Sequence, residues 1–502
     1  MTWQPSPLEE QRLSKLEQLE EANINPYPRR VERTHTTAQA KAVFEAADED
    51  AEVLVTVTGR LVSMRDMGKS VFAHIEDGYG RIQLFARREE VGEESHRIFR
   101  KLLDLGDFVQ ATGFVFRTRS GEISVRVKEW KMLSKAVSPL PVVKEEEKDG
   151  EVVRYSEFSN VEERYRQRYA DLAVNPDVRE VFRTRARVIT AVRNWMDSHE
   201  FLEVETPVLQ PLYGGAAARP FVTHHNQLKQ ELYLRISFEL YLKRLLVGGL
   251  ERVYEIGRDF RNEGVSFKHN PEFTMIEFYA AYWDYEDVMN FTQSMLQSVA
   301  GTVLGTQTLS YQGQEINLGG EWTRLTMRDA IKQFAEIDYM EHLEAESLAK
   351  AIRDIGGQAP AGASWGKLID SVFGDFVEPK LIQPTFITQY PRDISPLAKA
   401  IPGDALHVER FEYFIAGMEM GNAFTELNDP IDQQKRFEDL QKMYATDDDE
   451  LNPIDEDYLK AMRYGMPPNG GFGAGIDRMV MLFTDKSTIR EVVLFPHLRE
   501  KD

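Results

Sequence analysis

From Glu52 onward apolar residues recur at every second position, and that period commits this part of the chain to β structure. Val53, Val55 and Val57 alternate with Leu54, Thr56 and Thr58, and Val71, Ala73 and Ile75 alternate with Phe72, His74 and Glu76. A turn at Gly78-Tyr79-Gly80 leads into a run over 81–86, a helical stretch covers about 91–103, and two more strand-like runs flank a turn at Ser120-Gly121. Five short strands with one helix after the third follow the order of an OB-fold barrel, a frequent platform for single-stranded nucleic acid. Ahead of it, Leu8, Leu13, Leu16 and Leu19 among charges predict a short amphipathic helix that stops before Asn25-Pro26.

Strand parity supplies a first functional hint. Phe72 and His74 fall opposite the apolar Val71 and Ile75, while Arg81 and Gln83 fall opposite Ile82 and Leu84, so an aromatic stands outside among polar donors. Such a face can stack a base and read its edge, although a Phe covered by a loop gives the same pattern. Alternation breaks near 128–131, so parity does not place Glu129. The net charge of −21 argues against a general nucleic-acid coat, yet residues 1–140 are nearly neutral, with 21 basic against 22 acidic side chains. Within them Arg117, Arg119, Arg126, Lys128, Lys131 and Lys135 form a local basic strip, a pattern that a solvated strand edge also produces.

The absence of Cys removes disulfides, a cysteine nucleophile and thiolate zinc. The polar N-terminus and the lack of any apolar run of membrane-spanning length predict a cytoplasmic protein with no membrane partner. Residues 138–165 are charged and without apolar periodicity, which predicts a linker; the full division expected is a helical segment over 1–50, the barrel over 51–137, the linker over 138–175 and a second domain over 176–502. That domain opens on a long helix carrying Val181, Val188, Val192 and Trp195, followed by a strand broken at Pro207, and then mixes strands and helices without a repeat.

Three stretches of this second domain carry chemistry. In residues 252–282, two β-like runs flank a polar loop with Arg261 and Glu263 at its entry and Lys268 and His269 at its exit. Cations and donors on a loop between strands suit a bent polyphosphate, and Phe273, Glu277 and Tyr279 share one strand face beyond it. In residues 410–430, a turn at Ala416-Gly417 brings Glu412 towards Glu419, two carboxylates of the kind that hold Mg2+, with Asn422, Phe424 and Glu426 following on one face. In residues 470–483, glycines at 471, 473 and 475 precede Arg478, so the backbone can approach a ligand closely while the arginine meets phosphate or base. Each stretch, taken alone, also suits an ordinary solvated hairpin or turn.

Taken together they resemble a known family. FRNEGVSFKHNPEF and, later, GFGAGIDR resemble motifs 2 and 3 of class II aminoacyl-tRNA synthetases, and FLEVETP, with Pro207, resembles motif 1. GGAAARPF, ELYLKRLLVGG, RYRQRYADL, PTFITQYP, SPLAK, GNAFTELND and TIREVVLFP resemble the lysyl-tRNA synthetases of the class. Two places depart from the family pattern: the charged stretch VVKEEEKDGEVVRYSEFSN, and Ser237-Phe238 before Glu239, where a small residue and Pro are usual.

The resemblance implies an α+β protein, an OB barrel joined to a class II catalytic domain with an antiparallel sheet flanked by helices. It implies a homodimer that forms lysyl-adenylate from L-lysine and ATP with Mg2+ and passes the lysyl group to tRNA(Lys). Catalysis falls to Arg261 and Arg478; lysine to Gly215, Glu239, Arg261, Glu277, Tyr279, Asn422 and Glu426; ATP to Arg261, Glu263, His269, Asn270, Phe273 and Arg478. The metal falls to Glu412 and Glu419, and a U-rich anticodon to Arg65, Phe72, Gln83 and Glu129. An aspartyl or asparaginyl synthetase, a noncatalytic tRNA-binding relative and a lysyl-transferase acting on protein are the rival readings.

Overall fold

The computed structural model describes residues 3–48, 51–141, 143–148, 151–156, 158, 160–443 and 453–499, which divide into two compact units at Val174/Asn175. In the first unit, β1 (Leu54–Asp66), β2 (Ser70–Glu76), β3 (Arg81–Arg87), β4 (Phe108–Arg117) and β5 (Ile123–Ser134) close into a barrel in the order β1-β2-β3-β5-β4. The helix Glu93–Leu102 follows β3, as the sequence pattern predicts, and its Ile98, Phe99 and Leu102 enter the same core as Val57, Val71, Ile75 and Val125. The N-terminal helix Pro7–Glu21 is closed by a capping box, with Ser6 accepting from the Glu9 amide and the Glu9 carboxylate accepting from the Ser6 amide.

One local feature explains the break in alternation and another corrects the basic strip. Thr112 pairs with Glu129 but Gly113 pairs with Val127, so Lys128 is an extra residue in β5. That bulge is why alternation fails there. Gly113 serves the close strand approach, since a Cβ on it would lie 2.0 Å from the Arg126 carbonyl oxygen. Lys135 also leaves the basic strip: it is buried, with Nζ donating to Asp104 at 2.6 Å and Asp107 at 2.8 Å. Of the charged linker region, 143–148 and 151–156 pair as a hairpin, and residues 142, 149, 150, 157 and 159 lie outside the described residues.

The second unit is built on an eight-stranded sheet. Its order is Thr323–Thr326, Thr385–Pro391, His407–Ile415, Met418–Thr425, Asn469–Gly475, Glu272–Ala281, Arg252–Phe260 and Leu202–Glu203, antiparallel except for the two outermost pairs. Parity along the strand Glu272–Ala281 divides the two faces. Ile276, Phe278 and Ala280 join a core with Val188, Val192 and Met196 of the helix Pro176–Ser198 and Met295 and Leu296 of the helix Tyr285–Leu304. Phe273, Met275, Glu277 and Tyr279 face a cleft instead. The motif-1 strand is shorter than its sequence predicts: Leu202–Glu203 pairs alongside Val253 and Tyr254, and the chain leaves the sheet before Pro207. No helix among the described residues is long and apolar enough to cross a membrane.

Candidate functional site

The cleft has a volume of about 590 Å³, and every candidate residue of the second unit lines it: Gly215, Glu239, Arg261, Glu263, His269, Asn270, Phe273, Glu277, Tyr279, Glu412, Glu419, Asn422, Glu426 and Arg478. Three strands supply six of them, Phe273, Glu277, Tyr279, Glu412, Glu419 and Asn422, and loops and helix starts supply the rest. Glu277 and Asn422 both sit opposite Gly473, and Tyr279 and Phe424 both sit opposite Gly471, so the strand Asn469–Gly475 is a floor almost without side chains on this face. A Cβ on Gly471 would lie 2.0 Å from Glu426 Oε1 and 2.4 Å from Tyr279 Cε1. The glycines therefore make the room in which these polar groups converge.

At one end of the cleft lie acids and a hydroxyl. Glu426 and Glu239 are 1% and 5% exposed, and Tyr279 Oη donates to Glu277 Oε2 at 3.3 Å. Burial pushes the Glu426 carboxyl up to about 8, against the pull of Lys243. Burial likewise raises Glu277 well above the usual carboxylate range, with Asp259 and Glu239 adding to the rise. The unusual Ser237-Phe238 pair is accommodated here. Ser237 Oγ donates to Glu277 Oε1 at 2.9 Å and accepts from the Glu239 amide at 3.1 Å, while the buried Phe238 ring lies under the Arg235 guanidinium, 4.0 Å from its carbon. Gly215, at φ +89°, packs where a Cβ would stand 3.0 Å from Glu239 Cβ.

At the other end the charges are mixed. Arg261 projects over the Phe273 ring, its carbon 5.2 Å from the centroid, and Arg478 donates to Glu419 Oε2 at 3.1 Å. The turn at Ala416 and Gly417, both at positive φ, folds the strand of Glu412 back on that of Glu419. Burial pushes Glu412 up to about 7, opposed by Arg410 and reinforced by Glu419 and Asp370. Burial would raise Glu419 too, but Arg478 overrides it and holds that carboxyl below its ordinary value. In the loop, His269 Nδ1 is 2.9 Å from Ser266 Oγ, and burial together with Arg478 keeps the imidazole below its ordinary pKa.

Three residues that the sequence reading passed over belong to this site and to the barrel. Arg410 donates to Asn422 Oδ1 at 3.1 Å and to Glu412, fixing both; its signal was its place two residues before Glu412, on the same strand face. Lys243 stands one helical turn after Glu239, a spacing visible in ELYLK. The third is Glu122, just ahead of β5. Gln83 Nε2 donates to its Oε2 at 2.7 Å, and His74 Nε2 lies 2.7 Å from its Oε1.

On the barrel, Phe72 stacks on Phe85 with centroids 4.6 Å apart, Phe116 continues the row, and the exposed Arg65 sits directly opposite Phe72. Gln83 lies one step along, buried beneath this face. Glu129 is not brought to this patch: it pairs with Thr112, whose other neighbour is Thr56, and it contacts Lys131 at 3.4 Å. Asn270 is also placed differently from its expected role. Its amide donates to the Glu272 carbonyl at 2.6 Å and accepts from the His497 amide, so its side chain is committed to backbone.

Residues 160–499 match the family of tRNA synthetases class II (D, K and N), and residues 55–133 match the OB-fold nucleic acid binding domain. A lysine–tRNA ligase of Roseiflexus sp. (strain RS-1) is 52% identical over 99% of this chain and 99% of its own length. The chain belongs to the lysine–tRNA ligase family. Relatives with the same name from Chloroflexus aurantiacus and Moorella thermoacetica are 52% and 50% identical over 98% of this chain and 98% and 97% of their own lengths. Membership fixes the architecture of a lysine–tRNA ligase, an OB domain followed by a class II catalytic domain, onto the two units described above.

Proposed function

We propose that this chain activates L-lysine with ATP to lysyl-adenylate and transfers the lysyl group to tRNA(Lys). The observation that carries the amino-acid choice is the pairing of Glu239 with Glu426 beside the Tyr279 hydroxyl, over the glycine floor. Two carboxylates outnumber the single Lys243, so once Glu426 is ionised this end of the cleft is anionic and receives an ammonium. An aspartate side chain, the substrate of another branch of the same family, would meet repulsion there.

The lysine carboxylate is ionised at neutral pH and needs no general base. One of its oxygens bonds to the α-phosphorus as the bond to pyrophosphate breaks, and the residues' work is placement and charge neutralisation. Arg261 bridges the α-phosphate and the lysine carboxylate, with Asn422 held ready by Arg410. Glu277 and the Gly215 backbone receive the α-amino group. Phe273 and Arg478 enclose the adenine, Glu263 and the Asn270 backbone read its edge, and His269 with Arg478 meets the γ-phosphate. Glu412 and Glu419 fit Mg2+: both are oxygen donors, and burial disfavours the Glu412 charge in a way that a bound cation would relieve. Two carboxylates suffice where phosphate oxygens and water complete the shell, and the ion would supply charge neutralisation on the triphosphate.

The Phe72–Phe85 platform stacks an anticodon base, with Arg65 and the Gln83–Glu122 pair beside it; Glu122 takes the place first expected of Glu129. The enzyme works in the cytoplasm as a homodimer. Support for the dimer is the apolar exposure around motif 1, where Leu202 and Leu209 are about half exposed. Sedimentation should give twice the 57.8 kDa chain mass, and a monomer at micromolar concentration would refute the dimer.

Lysine-dependent ATP–pyrophosphate exchange tests the activity itself, with aspartate and asparagine as competitors. Glu426→Gln should raise KM for lysine roughly 10- to 100-fold, since a hydrogen bond to a charged group is worth about 1.5 to 3 kcal/mol. KM for ATP should stay unchanged; an equal rise for both substrates would remove Glu426 from the ammonium site.

A further inference from the structure

Lys243 occupies a place that simple charge matching does not require. It is fully buried, on the helix Glu239–Val247, with Nζ 2.5 Å from Glu239 Oε1 and in contact with Glu426 Oε2. Near it lie the Tyr279 ring, 5.8 Å from Nζ to the centroid, and Tyr458 on the helix Glu456–Arg463. Burial alone would strip its proton, but the two carboxylates override burial and hold the ammonium charged. A cation buried this deeply has no path to water by simple rotation, and its partner Glu239 is fixed one turn away on the same helix.

We propose that Lys243 is the resident counter-ion of the amino-acid pocket, a positioning residue that holds Glu239 and Glu426 side by side and favours their ionised forms, so that once both are ionised the three groups offer one net negative charge to one incoming ammonium. The inference rests on the reading of Glu239 and Glu426 as the side-chain receptor. Without Lys243, two adjacent buried carboxylates would share a proton, and the protonated one would be lost as an acceptor. With it, one positive charge is already in place and the substrate supplies the second. The ammonium is thus recognised by an ion pair of carboxylates that is already half neutralised, which also lowers the repulsion the empty pocket must tolerate.

The proposal makes a pH-dependent statement about binding. The groups facing Glu426 and Lys243 are Glu239, Tyr279 with Glu277 beside it, and Tyr458 with Arg244 beside it. In the wild-type chain, kcat/KM for lysine should rise with pH and level off near 8, where burial has pushed Glu426. Lys243→Met and Lys243→Gln remove the cation at similar length, so that level should move upward by one to two pH units. At pH 7 kcat/KM for lysine then falls roughly 10- to 100-fold, one decade per unit of displacement.

The experiment is pyrophosphate exchange between pH 6.5 and 8.5 on the full chain, with KM for ATP and the melting temperature measured on the same preparations. Support is an upward-shifted lysine profile with KM for ATP unchanged. A wild-type lysine profile that falls between pH 6.5 and 8.5 overturns the proposal even if neither variant folds. So does an unmoved break in the variants, or parallel loss of lysine and ATP with a lowered melting temperature, which is the signature of a structural lysine. Glu426→Gln separates the two levels of the argument. If that change spares lysine, the pocket reading fails; if it weakens lysine while the Lys243 variants keep the wild-type profile, the pocket stands and the counter-ion role falls.

Discussion

Asp259 lies two residues before Arg261 with both carboxylate oxygens buried and no hydrogen-bond donor on either among the described residues; Arg235 Nε, at 3.5 Å, is its ion-pair partner. Burial pushes its carboxyl up to about 7, opposed by Arg261 and Arg235 and aided by Glu255. The sign of the consequence follows from linkage. Between the ordinary carboxylate value near 4 and about 7, the unfolded chain has released this proton and the folded chain still binds it, so stability falls as pH rises and the loss is complete above about 7. Asp259→Asn removes that dependence. Its melting temperature should match wild type near pH 4, exceed it by a margin that widens up to pH 7, and hold that margin at pH 8. Thermal melts at these pH values check the claim, and a margin that shrinks with pH would show that Asp259 is held ionised by its arginines.

At the scale of elements, the strand Asn469–Gly475 shows what the sequence made legible and what it hid. Its glycine spacing announced a close backbone approach, and the parity of Phe273, Glu277 and Tyr279 was readable because the strand alternates without a bulge. Glu129 was not readable, because Lys128 is inserted where a regular strand would alternate, and Glu122 was missed because it precedes β5 and has no parity at all. Lys243 and Arg410 carried spacing signals, but pairing them with acids from distant segments takes the fold. The glycine floor yields its own test. Gly471→Ala places a methyl 2.0 Å from Glu426 Oε1 and 2.4 Å from the Tyr279 ring, on a strand paired on both sides that cannot withdraw. Overpacking of this kind costs about 1 to 3 kcal/mol of stability. KM for lysine should rise well beyond KM for ATP, and an unchanged lysine KM would show that the floor does not shape the side-chain pocket.

Across the whole molecule the acidic excess is carried by the second unit, which leaves the barrel close to neutral and able to present a small base-stacking surface within a chain of net charge −21. The division of labour between the units can be read out with one substitution. Phe72 stands on the outer face of β2, stacked on Phe85, whereas its neighbours Val71 and Ala73 point into the barrel core. Phe72→Ala should therefore raise the tRNA concentration needed for charging, by roughly 10- to 100-fold if the loss of a base stack of about 1 to 3 kcal/mol appears in binding. Lysine-dependent pyrophosphate exchange should be unchanged, since the residues that line the cleft, among the described ones, all belong to the second unit. The melting temperature should fall only slightly, because the residue lost is half-buried and leaves no closed cavity. Equal loss in charging and exchange, with a clearly lowered melting temperature, would instead make Phe72 a structural residue and take the stacking platform away from the anticodon.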